Sequence, residues 1–146
     1  MDGFGEGGRR APSAAAFAGC SSTNPAQACD VIVAHLGSGT YDWIDERGLQ
    51  DEVDERLAAR FSVLREKALS PRDRPDFLVS IGGCAVAVEV KVKGSPNAIL
   101  SQLGRYAAHA EVDAVILASG RRTLLAGVPA VIHATPVAVV YLGGGL

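Results

Sequence analysis

The sequence predicts an α/β domain, a central mixed β-sheet flanked by helices, on three observations. Apolar residues recur at helical spacing in two segments, Trp43 to Leu64 and Pro96 to Ala110. Runs rich in β-branched residues, bounded by Gly and Pro, lie between and after them. The chain has 146 residues, enough to bury one core, and its 48% hydrophobic share with few aromatics is that of an ordinary folded domain. The expected order is α-β-β-α-β-β, in one domain over residues 29–146.

Residues 1–28 are rich in Gly, Ala and Ser with no sustained apolar period, the composition of a mobile tail. A lipoprotein-type export signal is faintly outlined from Arg9 to Cys20, but its apolar part is short and broken by Pro12 and Ser13. Cys20, Cys29 and Cys84 are odd in number and lack metal-ligand spacing, which points away from a disulfide framework and towards a reducing, cytoplasmic setting. No apolar run approaches the length that spans a bilayer, so no membrane is expected as a partner.

Taken in order, Asp30 to Leu36 fits a short helix or a strand, and the following Gly-Ser-Gly-Thr breaks it. From Trp43 to Leu64, the residues Leu49, Val53, Leu57, Phe61 and Leu64 form one helical stripe. The same phase puts Glu46 near the centre of that stripe with Gln50 close by, and turns Glu52 and Glu55 towards solvent. A carboxylate on a buried stripe is anomalous, because burying an ion costs several kcal/mol unless it is paired. If the helix instead begins after Gly48, Glu46 lies in an exposed turn.

Ser70 to Pro75 is a loop by its two prolines. Two strands follow, joined by Gly82-Gly83. Ser95 is then a good N-cap and Pro96 a good first residue for a helix that buries Ile99, Leu103, Tyr106 and Ala110 and carries Gln102, Arg105 and His109 on one flank. Asp113 to Ser119 has the continuous apolar character of a strand buried on both faces. Pro136 to Leu142 is the last strand. No Asp, Glu, Lys or Arg follows Arg122, so this end of the chain is expected to be largely buried strand and turn.

The net charge of −2 conceals an uneven distribution: residues 41–64 carry seven acids against three bases, and residues 65–122 nine bases against six acids. Within the basic stretch, a two-residue Gly-Gly hairpin turn sets Asp76 directly opposite Glu89. Strand alternation adds Lys91 to the same face, whose other positions include Ala85 and Ala87, small enough for a helix to approach. Phe77, Val79, Val86, Val88, Val90 and Val92 take the opposite, core-facing side. Carboxylates facing each other across a ladder repel, so something positive belongs between them. Lys91 serves in one reading, an exposed salt-bridged triad. In the other, a hard divalent cation takes the two carboxylates and several waters.

Pro75-Asp76, followed after twelve residues by Glu89-Val90-Lys91, resembles the signature of the PD-(D/E)xK nuclease superfamily. Gln102 on the following helix is placed as in its Holliday-junction-resolvase-like and VRR-NUC-like members, and the segment from Glu46 to Val53 resembles their acidic first helix. The resemblance spans roughly residues 43–142. It implies a restriction-endonuclease-like fold and a metal-dependent endonuclease hydrolysing phosphodiester bonds in DNA, in repair, recombination or phage-related processes. It further implies that Asp76, Glu89 and the carbonyl of Val90 hold Mg²⁺ or Mn²⁺, with Glu46 assisting and Glu52 as the alternative first-helix acid. Lys91 would orient or activate the attacking water, and Gln102 would help position the helix or the scissile phosphate. Arg72, Arg74, Lys93, Arg105, Arg121 and Arg122 are then candidate phosphate contacts. Because the chain is not basic overall, a partner or a homodimer would help it grip DNA. The alternative is a non-catalytic nucleic-acid-binding or regulatory domain that retains the fold.

Overall fold

In the computed structural model, which describes residues 23–143, the order of elements is α1 (Pro25–Gly37), α2 (Glu46–Ala58), β1 (Ser62–Arg65), β2 (Phe77–Ile81), β3 (Cys84–Lys91), α3 (Pro96–Ala107), β4 (Ala114–Ser119), a 3₁₀ turn (Arg122–Leu124), β5 (Val131–Ile132) and β6 (Thr135–Tyr141). The first 22 residues of the expected tail, with Cys20, lie outside the described residues. Residues 25–28, expected in that tail, instead open α1. Asn24 and Gln27 cap it reciprocally, Pro25 occupies its first turn, and Ala28 and Cys29 are buried.

The sheet runs β1-β2-β3-β4-β6-β5, antiparallel at both ends and parallel where β3, β4 and β6 adjoin. It is a mixed sheet with helices on both sides, as expected. α1 and α2 cover one face through Ile32, Leu36, Leu49, Val53 and Leu57, packed on Phe77, Val79, Val86, Val88 and Val90. α3 covers the other through Ile99, Leu103 and Tyr106, packed on Leu78, Ala87, Val115 and Leu117. Each fully buried side chain of this size contributes about 1.5–3 kcal/mol, so the two layers together outweigh the several kcal/mol that a buried carboxylate costs.

α2 is shorter than its apolar period. It stops at Ala58, and Ser62–Arg65 leaves it as an edge strand on β2, with Leu64 55% exposed. Phe61 and Leu64 keep the helical phase, but Phe61 and Val63 turn inwards while Ser62 and Leu64 turn outwards, and the open edge of β2 offers a full ladder of partners. The uncharged end of the chain is likewise only partly buried: Val131 is 58% and Val139 37% exposed, and β4 is the strand buried at every residue. None of the described helices is long and apolar enough to cross a membrane.

The Gly82-Gly83 turn behaves as its composition predicts. Ile81 pairs with Cys84 and Phe77 with Val88, and both glycines have positive φ, +55° and +83°. A Cβ on Gly82 would also strike the Thr23 side chain, whereas Gly83 faces open space. Gly82→Ala is therefore expected to cost about 1–3 kcal/mol, from left-handed strain plus displacement of Thr23. Gly83→Asn should cost less than about 1 kcal/mol. Urea unfolding of the two variants checks the difference.

Candidate functional site

The site forms where β3 outruns β2. Phe77 pairs with Val88, so one further step sets Asp76 against Glu89, and past that point the β2 side of β3 has no strand beside it. Two carboxylates replace the missing ladder: the Val90 N–H donates to Asp76 Oδ2 at 2.7 Å, and the Val92 N–H to Glu46 Oε1 at 2.9 Å. In a strand the N–H and C=O of one residue lie on the same side, so the Val90 carbonyl opens onto this edge too. Gln50, one turn after Glu46, donates from Nε2 to Asp76 Oδ1 at 3.3 Å.

α2 delivers Glu46 and Gln50 because Asp45 caps it, accepting the Gly48 N–H at 2.8 Å, so the helix begins at Glu46 rather than after Gly48. Gly48 lies in the first turn, where its low helix propensity costs little. Glu52 accepts the Asp42 N–H at 3.1 Å instead, leaving Glu46 as the α2 acid at this edge.

On the α3 side, Glu89 is 4% exposed, and its two oxygens have separate partners. Oε1 accepts from the Tyr106 hydroxyl at 3.0 Å and from the Asp76 N–H at 3.2 Å, while Oε2 lies 3.3 Å from Lys91 Nζ. Burial pushes the Asp76 carboxyl up to about 7, and the Glu89 charge adds to the rise against the opposing Val90 N–H and Lys91 ammonium. Burial raises Glu89 as well, offset by Lys91 and Tyr106. Both acids hold protons more tightly folded than unfolded. Their contribution to stability is thus fully present below the ordinary Asp value of 3.8 and lost as the pH rises through about 7. Metal-free protein should therefore melt several degrees lower at pH 8 than at pH 5, a loss of order 1–3 kcal/mol, and millimolar Mg²⁺ at pH 8 should restore it. Thermal unfolding in EDTA and in Mg²⁺ measures both.

Two residues of this region escape a reading by pattern. Tyr106 sits on the apolar stripe of α3 as expected of a core residue, yet its hydroxyl also holds Glu89 and contacts the Arg74 carbonyl at 3.3 Å. The available signal is that a buried tyrosine needs a hydroxyl partner. Asp73, 7% exposed, accepts from Arg105 Nε and pairs with His109 Nε2, each at 2.9 Å. Those partners hold its carboxyl below the usual range, His109 most of all. The loop leading to Asp76 is in this way clamped to α3. Arg105, a candidate phosphate contact, spends its Nε on this clamp.

The candidate phosphate contacts lie in three places. Lys91, Lys93, Gln102 and Arg105 line a cleft of about 430 Å³ beside the N-terminal half of α3. Arg72 and Arg74 are exposed on the loop before β2, where Arg74 Nη1 donates to the Glu66 carbonyl at 2.9 Å. Arg121 lies 5.9 Å from the Trp43 ring and Arg122 3.9 Å from that of Tyr141. Both follow β4 at the end of the sheet where Lys91 pairs with Ser119, and Ser119 with Tyr141.

Asp76 and Glu89 offer the hard oxygen donors that suit Mg²⁺ or Mn²⁺, and burial raises both carboxyls although Lys91 opposes the rise. Among the described residues no group of three or more His, Cys, Asp and Glu side chains is gathered to hold a metal ion. The fit is thus to two carboxylates and a main-chain carbonyl. Compared with known proteins, the chain matches no family model, no curated protein and no solved structure.

Proposed function

We propose that the chain is a metal-dependent DNA endonuclease of the PD-(D/E)xK type, with the restriction-endonuclease-like form of the mixed α/β fold. The observation that carries this reading is the convergence, at the edge where β3 outruns β2, of Asp76 and Glu89 from the hairpin, Lys91 beside Glu89, and Glu46 and Gln50 from α2. Asp76, Glu89 and the Val90 carbonyl would hold Mg²⁺ or Mn²⁺, with Glu46 assisting. The ion, when bound, would supply Lewis-acid stabilisation of phosphoryl charge and a water of lowered pKa. Gln50 and the Val90 N–H orient Asp76, and Tyr106 orients Glu89, so neither carboxylate rotates freely. Lys91 and Gln102 line one cleft, where the Lys91 ammonium, paired with Glu89, would orient a water for in-line attack and Gln102 would position the phosphate.

The absence of a three-acid cluster among the described residues favours a second reading, a non-catalytic nucleic-acid-binding or regulatory domain. Incubation with supercoiled, linear and branched DNA in Mg²⁺ or Mn²⁺ separates them. A nuclease cleaves at least one of these, and Lys91→Ala slows it about 10²–10⁴-fold while leaving the fold intact. Equal cleavage by Lys91→Ala and the parent would remove the mechanism, and no cleavage of any substrate favours the second reading.

A further inference from the structure

A second cleft, of about 590 Å³, continues from the one beside Lys91 along the outer face of α3. The two share Ser101 and Arg105. The first is rimmed by Lys91 and Lys93, while the second ends at His133 and has Leu100, Gly104, Ala108 and Ile132 in its lining. Among the described residues, no acidic side chain lines either cleft. Gly104 lies in the floor, where a Cβ would only just reach Ile132, at 3.9 Å. The far wall includes His133, which with Ala134 forms the tight connection that turns β5 back into β6, both at positive φ, +50° and +63°.

We infer that these joined clefts form a track over α3 for one strand of nucleic acid with unpaired bases. This deepens the nuclease reading and rests on it for the position of the scissile phosphate. Two properties of the track select the occupant. Lys91, Lys93 and Arg105 are spaced along it, and although Glu89 and Asp73 pair with Lys91 and Arg105 from behind, no carboxylate lines the track itself, which complements a phosphate backbone. The apolar floor of Leu100, Ala108 and Ile132 has nothing to contact on an intact duplex, whose bases are stacked inside, whereas unpaired bases present apolar faces to it. Ser101 and Asn97 add hydrogen-bonding groups without charge. The track therefore fits a single strand or the splayed arm of a branched molecule, leading away from Lys91.

The test is fluorescence anisotropy of the full chain in EDTA with a labelled 20-nucleotide single strand and with the same strand in duplex. Ser101→Glu and His133→Glu place a carboxylate in the track at exposed positions, and Ala58→Glu places one on the exposed end of α2 as a control of equal charge. The single strand should bind the parent more tightly than the duplex does. Ser101→Glu and His133→Glu should each weaken single-strand binding about tenfold and flatten its salt dependence, with Ala58→Glu within about twofold of the parent. A duplex bound as tightly as the single strand, no binding of the single strand, or track variants that bind like the parent would each overturn the track. Cleavage plays no part in this assay, so the two readings fail separately. Binding without cleavage keeps the track and removes the nuclease. Cleavage with unaltered binding by the two track variants does the reverse.

Discussion

Asp76→Asn is expected to abolish DNA cleavage, on the order of 10³-fold or more, and at the same time to make the metal-free protein more stable at pH 8. The two effects have one cause. Asp76 is half-buried beside the buried Glu89, and at pH 8 its ionised form is held against desolvation and like-charge repulsion. Asparagine keeps an oxygen for the Val90 N–H, 2.7 Å away in the parent, and removes the charge. The gain should be about 1–3 kcal/mol at pH 8, several degrees in melting temperature, and should vanish below the ordinary Asp value of 3.8, where the parent is protonated too. Mg²⁺ should raise the melting temperature of the parent and leave that of Asp76→Asn nearly unchanged. A variant that is less stable than the parent in EDTA at pH 8 would mean that the carboxylate is not the burden described here. Opposite changes in activity and stability at one residue are what a site arranged for chemistry rather than for folding produces.

The second large effect is structural. Asp73→Ala should lower stability by about 2–4 kcal/mol, because Arg105 and His109 lose their common partner while remaining partly buried. The value lies towards the low end for a broken buried pair, since the Arg105 side chain is 35% exposed and water can reach it. The same change unties the loop that ends at Asp76 from α3: the bonds of the Asp73 main chain to the Leu69 N–H and the Ser70 hydroxyl hold the turn itself and remain, but both side-chain bonds to α3 are lost. Denaturant unfolding should show the loss of stability, and hydrogen exchange should show it concentrated in residues 66–76 and the C-terminal turn of α3. Loss spread evenly over the sheet would contradict a local clamp.

Much of this arrangement is written in local patterns. The Gly-Gly turn determines the register, and the register determines that Asp76 opposes Glu89. Alternation along β3 separates the core-facing Val86, Val88 and Val90 from Glu89 and Lys91, as the burial of the two layers bears out. The apolar run of β4 announces its burial on both faces, and Ser95 with Pro96 announces where α3 begins. These features depend on residues a few positions apart, whose geometry the backbone sets on its own.

Other features depend on partners far along the chain. That Ser62–Arg65 leaves the helix for the edge of β2 is decided by a strand more than ten residues later, against a helical phase that Phe61 and Leu64 still carry. Glu46, not Glu52, reaches the site because the free N–H of Val92 lies there. The same holds for Tyr106, whose place on the apolar stripe is local but whose hydroxyl partner is on β3, and for Asp73, which sits in a loop with no period at all. A sequence by itself determines which face of each element is apolar and where a turn reverses the chain. Which buried polar groups meet is decided only in the tertiary structure, because each must find a hydrogen-bonding partner wherever packing has left one.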